Sequence, residues 1–167
     1  VCDMGSHREW VSQYFPAPGA GSVILSTGYN ATGFALPGAI GAKVADPERR
    51  VMALCGDGGF LSGCAELATA SAMNLPIVVL IFNDRQMSYV RSLQSQRFQQ
   101  SEPGALVNPD FAALARSFGA EGVLLGKGDD LAARVEDAFS REKPTVIDIP
   151  VDAAEQCKIF ENWIHSA

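Results

Sequence analysis

The chain has 167 residues, of which 47% are hydrophobic and 19% are charged, and its formal net charge is −6. This length suits one domain with a sizeable core, and the apolar fraction is too high for a disordered chain. A negative chain without a Lys/Arg cluster is not expected to bind nucleic acid. Its apolar runs also fall short of the ~20 residues that span a bilayer. We therefore expect a globular domain with neither nucleic acid nor membrane as a partner.

The four cysteines are Cys2, Cys55, Cys64 and Cys157, and they show no CxxC spacing. Cys55 falls inside a predicted strand and Cys64 inside a predicted helix. This pattern favours buried free thiols in a reducing compartment over disulfides or a zinc site. We therefore expect a cytoplasmic protein.

The first third of the chain contains two predicted helices and a short strand. Residues 7–15 are predicted to form a helix that ends at a Pro-Ala-Pro-Gly sequence, and residues 23–25 a strand. Residues 33–45 are predicted to form a helix of small side chains that ends at Asp46-Pro47. The chain begins at Val1 within a predicted strand. This start favours a fragment or part of a longer protein, although an enzyme built from separate subunits is an alternative.

The segment from Val51 to Asp84 is the most informative part of the sequence. A short apolar run at 51–55 predicts a buried strand, and Gly56-Asp57-Gly58-Gly59 interrupts it. Residues 61–73 are rich in Ala, Leu and Glu and predict a helix, which ends before Pro76. Residues 77–82 are wholly apolar and predict a second strand that is covered on both faces.

The remaining elements complete an alternating pattern. Residues 88–99 and 131–140 are predicted helices, and a last strand covers 145–152. A further helix is predicted to begin with Asn108 as its N-cap and Pro109 at its first position, and to end before Gly119. Alternating strands and helices predict an α/β fold, a doubly wound parallel sheet with helices on both faces.

Two acidic turns follow the two central strands, at Asp57 and Asp84. Parallel strands end at the same edge of a sheet, so we expect these carboxylates to lie close together, where open α/β sheets bind ligands. Carboxylates suit Mg²⁺, glycines let the backbone approach a phosphate, and the start of the helix near Phe60 directs N–H groups to the same place. An ordinary glycine turn explains Gly56-Asp57-Gly58 alone, but the second acidic turn favours a metal-diphosphate site.

The motif Gly56-Asp57-Gly58 followed by Asn83-Asp84 resembles the GDG … NN motif of thiamine diphosphate enzymes. Further segments recur in the same order in acetolactate synthase-like enzymes. They are DMGSH (3–7) with Trp10, STGYNATGFALPGAIGAKVA (26–45), GDGGF…ELATA…NLP, NPDF (108–111) and TVIDIPVD (145–152). The chain is identified by this resemblance as the C-terminal, diphosphate-binding domain of that family.

The resemblance implies a set of ligands for thiamine diphosphate and Mg²⁺. Asp57, Asp84 and the backbone carbonyl of Gln86 are the implied metal ligands, and Asp84 stands where the family usually has a second Asn. The implied cofactor-binding positions are Ser6, His7, Asn30, Thr32, Gly56, Gly58, Gly59, Phe60 and Tyr89. Asn30 matches a carbonyl that binds the aminopyrimidine. Thr32 matches the bulky apolar residue that supports the bent cofactor in the family, and it is small for that role.

The function implied by the resemblance is decarboxylation of a 2-oxo acid, with or without ligation to an acceptor. The activating glutamate is expected from a pyrimidine-binding domain outside this chain, so no catalytic residue is assigned, and a homo- or hetero-oligomer is expected. The cofactor-binding domain is expected to cover 1–152, followed by a tail at 153–167. Ser88, Tyr89 and Leu93 depart from the acetolactate synthase pattern. A two-subunit decarboxylase of the sulfopyruvate type and a non-catalytic assembly partner are the alternatives.

Overall fold

The computed structural model describes residues 1–99 and 105–155. Its helices are α1 (Ser6–Tyr14), α2 (Ala35–Ala45), α3 (Asp57–Gly63), α4 (Leu67–Ala72), α5 (Ser88–Phe98), α6 (Phe111–Ser117) and α7 (Leu131–Phe139), with a 3₁₀ turn at Cys64–Glu66. Its strands are β1 (Val51–Gly56), β2 (Ile77–Asn83), β3 (Glu121–Leu124) and β4 (Thr145–Pro150). None of the described helices is long and apolar enough to cross a membrane.

The four strands form one parallel sheet in the order β1-β2-β4-β3. Single bridges pair Cys2 with Leu54 of β1 on one side and with Leu25 on the other. The sheet therefore continues past β1 through extended chain near Cys2 and Leu25. Since every named strand runs parallel to its neighbour, all four carboxyl ends lie at one edge.

Helices cover both faces of this sheet, because successive residues of a strand point to opposite sides. On one face, Ala53 and Cys55 of β1 pack in a core with Leu36 of α2 and Phe60 of α3. On the other face, Leu54 belongs to a second core that includes residues of α7 and α1. The predicted α/β class, with a doubly wound parallel sheet, is confirmed.

The two central strands and most helices lie close to their predicted positions. β1 and β2 each extend one residue beyond the prediction. The helix predicted at 61–73 begins earlier, at Asp57, and the 3₁₀ turn divides it into α3 and α4. The helix therefore begins directly at the acidic turn, because Asp57 is already helical.

The N-cap prediction for Asn108 is wrong. Asp110 is the N-cap of α6, and its carboxylate accepts a hydrogen bond from the backbone N–H of Ala113 at 2.8 Å. The side chain of Asn108 instead donates to Asp57 and Asn83, which lie far away in the sequence. Gly119 does follow the helix, with a φ of +85° that favours glycine.

Three further differences concern strands and the tail. The strand predicted at 23–25 is absent as an element, and only Leu25 makes a bridge. β3 was not predicted because it is a short, half-exposed edge strand without a continuous apolar run. β4 ends at Pro150. The tail boundary at 152 stays a prediction, since residues 156–167, with Cys157, lie outside the described residues.

The other cysteines are free thiols, and Cys2 and Cys55 are buried.

Candidate functional site

An open cleft lies at the carboxyl edge of β1 and β2. Gly56 of β1 pairs with Phe82 of β2, so Asp57 and Asp84 leave neighbouring strands at the same level. The predicted residues that line the cleft are Ser6, His7, Thr32, Gly56, Asp57, Gly58, Gly59, Asp84, Gln86 and Tyr89. The sheet topology thus brings the start of α1, the loop before α2 and both acidic turns to one cleft.

Asp57 is buried at the first position of α3 and is held by two donors. Its Oδ1 accepts the backbone N–H of Gly58 at 2.8 Å, and its Oδ2 accepts the side-chain amide of Asn108 at 2.7 Å. These two bonds fix the plane of the carboxylate. Each oxygen keeps a free lone pair that could bind a cation.

Asp84 is half-buried and is also held by two donors. The backbone N–H of Gln86 donates to its Oδ1 at 3.0 Å, and the hydroxyl of Ser88 donates to its Oδ2. Burial raises the pKa of Asp84, and the negative charge of Asp57 adds to that effect. A cation between the two carboxylates would relieve their repulsion.

Gln86 lies where the chain turns out of β2. Its side-chain Oε1 accepts a hydrogen bond from Arg91, so the side chain is directed to α5. Arg85, just before it, has a φ of +58°, which is uncommon for a side chain of this size. The resemblance assigns only the backbone carbonyl of Gln86 to a metal, and that role stays a prediction.

Ser6 and His7 begin α1 at the same cleft and are both buried. Ser6 Oγ and His7 Nε2 find no hydrogen-bond partner among residues 1–99 and 105–155. Burial lowers the pKa of His7 to about 4, and a hydrogen bond with the Leu54 backbone acts in the other direction. The ring also stacks on Phe82, with centroids 5.5 Å apart. Buried polar atoms without partners are rare, and a ligand or a water molecule in the cleft could satisfy these two.

Gly59 is required by protein packing and Gly58 lies close to a neighbouring side chain, which sequence reasoning did not anticipate. A Cβ at Gly59 would lie 2.6 Å from the carboxylate of Asp3. That carboxylate is buried and accepts the backbone N–H of Gly33 at 2.9 Å. A Cβ at Gly58 would meet the sulfur of Met87 at 2.9 Å. These two glycines therefore admit neighbouring side chains, in addition to any ligand.

The remaining predicted positions are dispersed. Asn30 is exposed and its side chain accepts a hydrogen bond from Arg8 at 2.9 Å, away from the cleft lining. Phe60 is fully buried and packs edge-on against Phe111, so only its backbone could contribute. Thr32 is exposed and Tyr89 half-buried, and both line the cleft.

Sequence reasoning missed a buried polar chain behind Asp57. Asn108 donates to both Asp57 and Asn83, and Asn83 in turn donates to Asp148 of β4 at 3.0 Å. Burial raises the pKa of Asp148, and the hydrogen bond from Asn83 opposes it. The NPDF sequence at 108–111 is the available signal, but as a local pattern it predicts a helix start.

Within the described ranges, no group of three or more His, Cys, Asp or Glu side chains could hold a metal.

Residues 3–149 match the sequence family described as "Thiamine pyrophosphate enzyme, C-terminal TPP binding domain". The chain is 35% identical to the acetolactate synthase of Bacillus subtilis, over 95% of this chain and 28% of that protein. It is 36% identical to a probable acetolactate synthase large subunit of Methanocaldococcus jannaschii, over 92% of this chain and 26% of that protein.

The solved structure of a thiamine diphosphate-dependent 4-hydroxybenzoylformate decarboxylase from Rhodococcus jostii superposes with a TM-score of 0.67 at 30% identity, covering 72% of this chain and 23% of that one. The chain spans 28% and 26% of the length of the two curated relatives named above. By the match over nearly its whole length, the chain belongs to the family of C-terminal thiamine diphosphate (thiamine pyrophosphate)-binding domains of thiamine diphosphate enzymes.

Proposed function

We propose that the cleft binds the diphosphate of thiamine diphosphate together with Mg²⁺. The observation that supports this most is the pairing of two carboxylates, Asp57 and Asp84, with two buried polar atoms that have no partner among the described residues, Ser6 Oγ and His7 Nε2. Hard oxygen ligands suit Mg²⁺, whereas a hydroxyl and a protonated imidazole can donate to phosphate oxygens. The carboxylates and the hydrogen-bonding groups of the cleft together fit a magnesium diphosphate.

Each residue has a distinct task in this proposal. Asp57, Asp84 and the carbonyl of Gln86 would hold Mg²⁺, which keeps part of its shell for water and phosphate oxygens. The Ser6 hydroxyl would donate to the diphosphate. An anionic group at His7 Nε2 would favour a proton there and so counter the effect of burial on its pKa. Thr32 and Tyr89 would lie along the rest of the cofactor.

We infer that the whole protein is a 2-oxo acid decarboxylase or carboligase of the acetolactate synthase-like group. The names of the relatives support this class, as does the decarboxylase in the structural comparison. Bound thiamine diphosphate supplies a nucleophile and electron sink for a 2-oxo acid, while the protein binds and orients it. The activating glutamate would come from a pyrimidine-binding domain or subunit, within a cytoplasmic homo- or hetero-oligomer.

The substrate side of the cleft differs from the acetolactate synthase pattern, and the structure shows what Ser88 does there. Ser88 is occupied by its hydrogen bond to Asp84, so it would support this proposed metal ligand and is not free for substrate. Leu93 is partly exposed on α5, outside the cleft lining. Tyr89 lines the cleft beside Met87 and Val90. We propose that Met87 and Val90, rather than Leu93, face the 2-oxo acid, while Tyr89 lies along the cofactor.

The test is calorimetric titration of thiamine diphosphate into the longest native form of the protein, with and without Mg²⁺. Asp57→Ala removes a proposed metal ligand, so we expect it to abolish Mg²⁺-dependent binding. Asp130→Ala is the control, because Asp130 caps α7 at Ala132 and Ala133 and is absent from the cleft lining. Equal Mg²⁺-dependent affinity for Asp57→Ala and the unmodified protein would refute the metal assignment.

A further inference from the structure

The NPDF sequence places Asn108 directly behind the proposed metal ligand Asp57. Its Nδ2 donates to Asp57 Oδ2 at 2.7 Å and to Asn83 Oδ1 at 2.9 Å. Both hydrogens of this amide are thereby used, and both go to acceptors on the strand ends that form the cleft. The contact joins positions that are 51 and 25 residues apart in the sequence.

The orientation of the Asn108 amide follows from its neighbours. Rotating the amide by half a turn would place its oxygen against Asp57 Oδ2 and Asn83 Oδ1, and three acceptors would then repel one another. Asn108 Oδ1 has no partner among residues 1–99 and 105–155, yet the amide keeps this orientation. The two donated bonds therefore outweigh the unsatisfied acceptor.

Asp148 sets the direction of the chain of hydrogen bonds. It lies in β4 next to β2, and its Oδ1 accepts from Asn83 Nδ2 at 3.0 Å. Because Asp148 accepts this bond, the NH₂ of Asn83 faces Asp148 and the oxygen of Asn83 faces Asn108. Asn108 must then present its NH₂ to Asn83 and to Asp57.

The backbone around Asn108 is fixed at both ends. The N–H of Leu106 donates to the carbonyl of Arg85 at 2.8 Å, and Asp110 caps α6 two residues beyond Asn108. Pro109 also keeps Asn108 out of the helical region. Asn108 is thus held before any ligand binds, and so is the carboxylate that it touches.

We propose that Asn108 is a positioning residue for the metal ligand Asp57, oriented through Asn83 by Asp148. This proposal rests on the proposed metal-diphosphate function of the cleft. With Oδ1 of Asp57 bound to the N–H of Gly58 and Oδ2 bound to Asn108, the carboxylate cannot rotate, and its free lone pairs keep one direction. Partners of this kind raise metal affinity by roughly 10- to 100-fold in metalloproteins.

The experiment measures how the affinity of the longest native form of the protein for thiamine diphosphate depends on the Mg²⁺ concentration. Asn108→Ala removes both donors, and Asn108→Leu removes them while conserving volume, in case the alanine variant fails to fold. We expect either variant to need about tenfold more Mg²⁺ for half-maximal cofactor binding. At saturating Mg²⁺ the cofactor affinity should return to that of the unmodified protein. Asp130→Ala, the distant cap variant, should leave the Mg²⁺ dependence unchanged.

The remaining outcomes separate this proposal from the function on which it rests. An unchanged Mg²⁺ dependence in both Asn108 variants, with binding lost in Asp57→Ala, overturns the positioning role and leaves the metal site intact. Cofactor affinity that excess Mg²⁺ does not restore shows a merely structural role and also overturns it. Unchanged binding by Asp57→Ala refutes the metal site and the proposal together.

The orientation through Asn83 has its own test. Asn83→Leu breaks the link between Asp148 and Asn108, so its effect on the Mg²⁺ dependence should overlap with that of Asn108→Leu. The double variant is then expected to show less than the product of the two single fold-changes, as residues of one hydrogen-bond network do. A double variant whose fold-change equals the product of the two single fold-changes would overturn the proposed role of Asp148 and Asn83.

Discussion

The two sides of the cleft differ in how their buried polar groups are satisfied. On the acidic side, both carboxylates, Asp57 and Asp84, are held by donors from this chain. At the start of α1, here called the Ser6–His7 side, Ser6 and His7 each keep a buried polar atom with no partner in the described ranges. The acidic side is thus prepared before a ligand arrives, whereas in the proposed function Ser6 and His7 would gain hydrogen bonds only from the bound diphosphate.

This difference indicates which part of the cleft should gain free energy when a ligand binds. A buried polar group without a partner costs about 1–3 kcal/mol in the folded state, and a ligand that satisfies it recovers that cost. The Ser6–His7 side should therefore reduce the stability of the ligand-free protein and increase its affinity for an anion. The acidic side should instead contribute to stability in both states.

The two glycines of the acidic turn provide the largest contrast, because they face different neighbours. Gly59→Ala would press a methyl group against the buried carboxylate of Asp3, which is itself held by the backbone of Gly33. We expect a loss of about 2–3 kcal/mol in the free energy of unfolding. Gly58→Ala meets the end of the flexible Met87 side chain and should cost less than about 1 kcal/mol. Urea unfolding of both variants checks this, and equal losses would contradict it.

The same turn shows what could be predicted from the sequence and what could not. Apolar runs and glycine breaks are local signals, so β1, β2 and the acidic edge between them were predictable. The contact between Asp3 and Gly59 joins distant segments, and so does the contact of Asn108 with Asp57; no local pattern encodes either. Asn before Pro is a frequent helix start, and for that reason Asn108 was assigned to a cap that Asp110 provides.

Acid should weaken the protein through the Ser6–His7 side. Burial lowers the pKa of His7 from 6.5 to about 4, so the unfolded chain takes up a proton at higher pH than the folded one. The contribution of neutral, buried His7 to the free energy of unfolding is therefore fully present above pH 6.5, and it is lost as the pH decreases towards about 4. Between about pH 7 and about pH 5 the loss from this group is about 2 kcal/mol. His7→Phe keeps a ring but cannot be protonated, and urea unfolding of this variant should show less dependence on pH.

The acidic side should have the opposite effect on how the free energy of unfolding depends on pH. Burial raises the pKa of Asp84, so the folded state binds a proton at this carboxylate more tightly than the unfolded chain. The free energy of unfolding therefore increases through this group as the pH falls through the raised pKa towards 3.8. Asp84→Asn removes this effect and should make the acid sensitivity due to His7 steeper. A shallower pH dependence in Asp84→Asn would contradict the contrast between the two sides.

The smallest effects are expected at two serines, Ser6 of α1 and Ser88 of α5. Each begins a helix, and each is 4% exposed. Ser6 Oγ has no partner in the described part of the chain, so Ser6→Ala should stabilise the ligand-free protein by about 1 kcal/mol and weaken thiamine diphosphate binding. Ser88 Oγ donates to Asp84, so Ser88→Ala should destabilise the protein by about 1 kcal/mol. Urea unfolding without ligand, followed by calorimetric titration with Mg²⁺, measures both. Destabilisation by both substitutions would mean that Ser6 is satisfied without a ligand, and the distinction between the two sides would then fail.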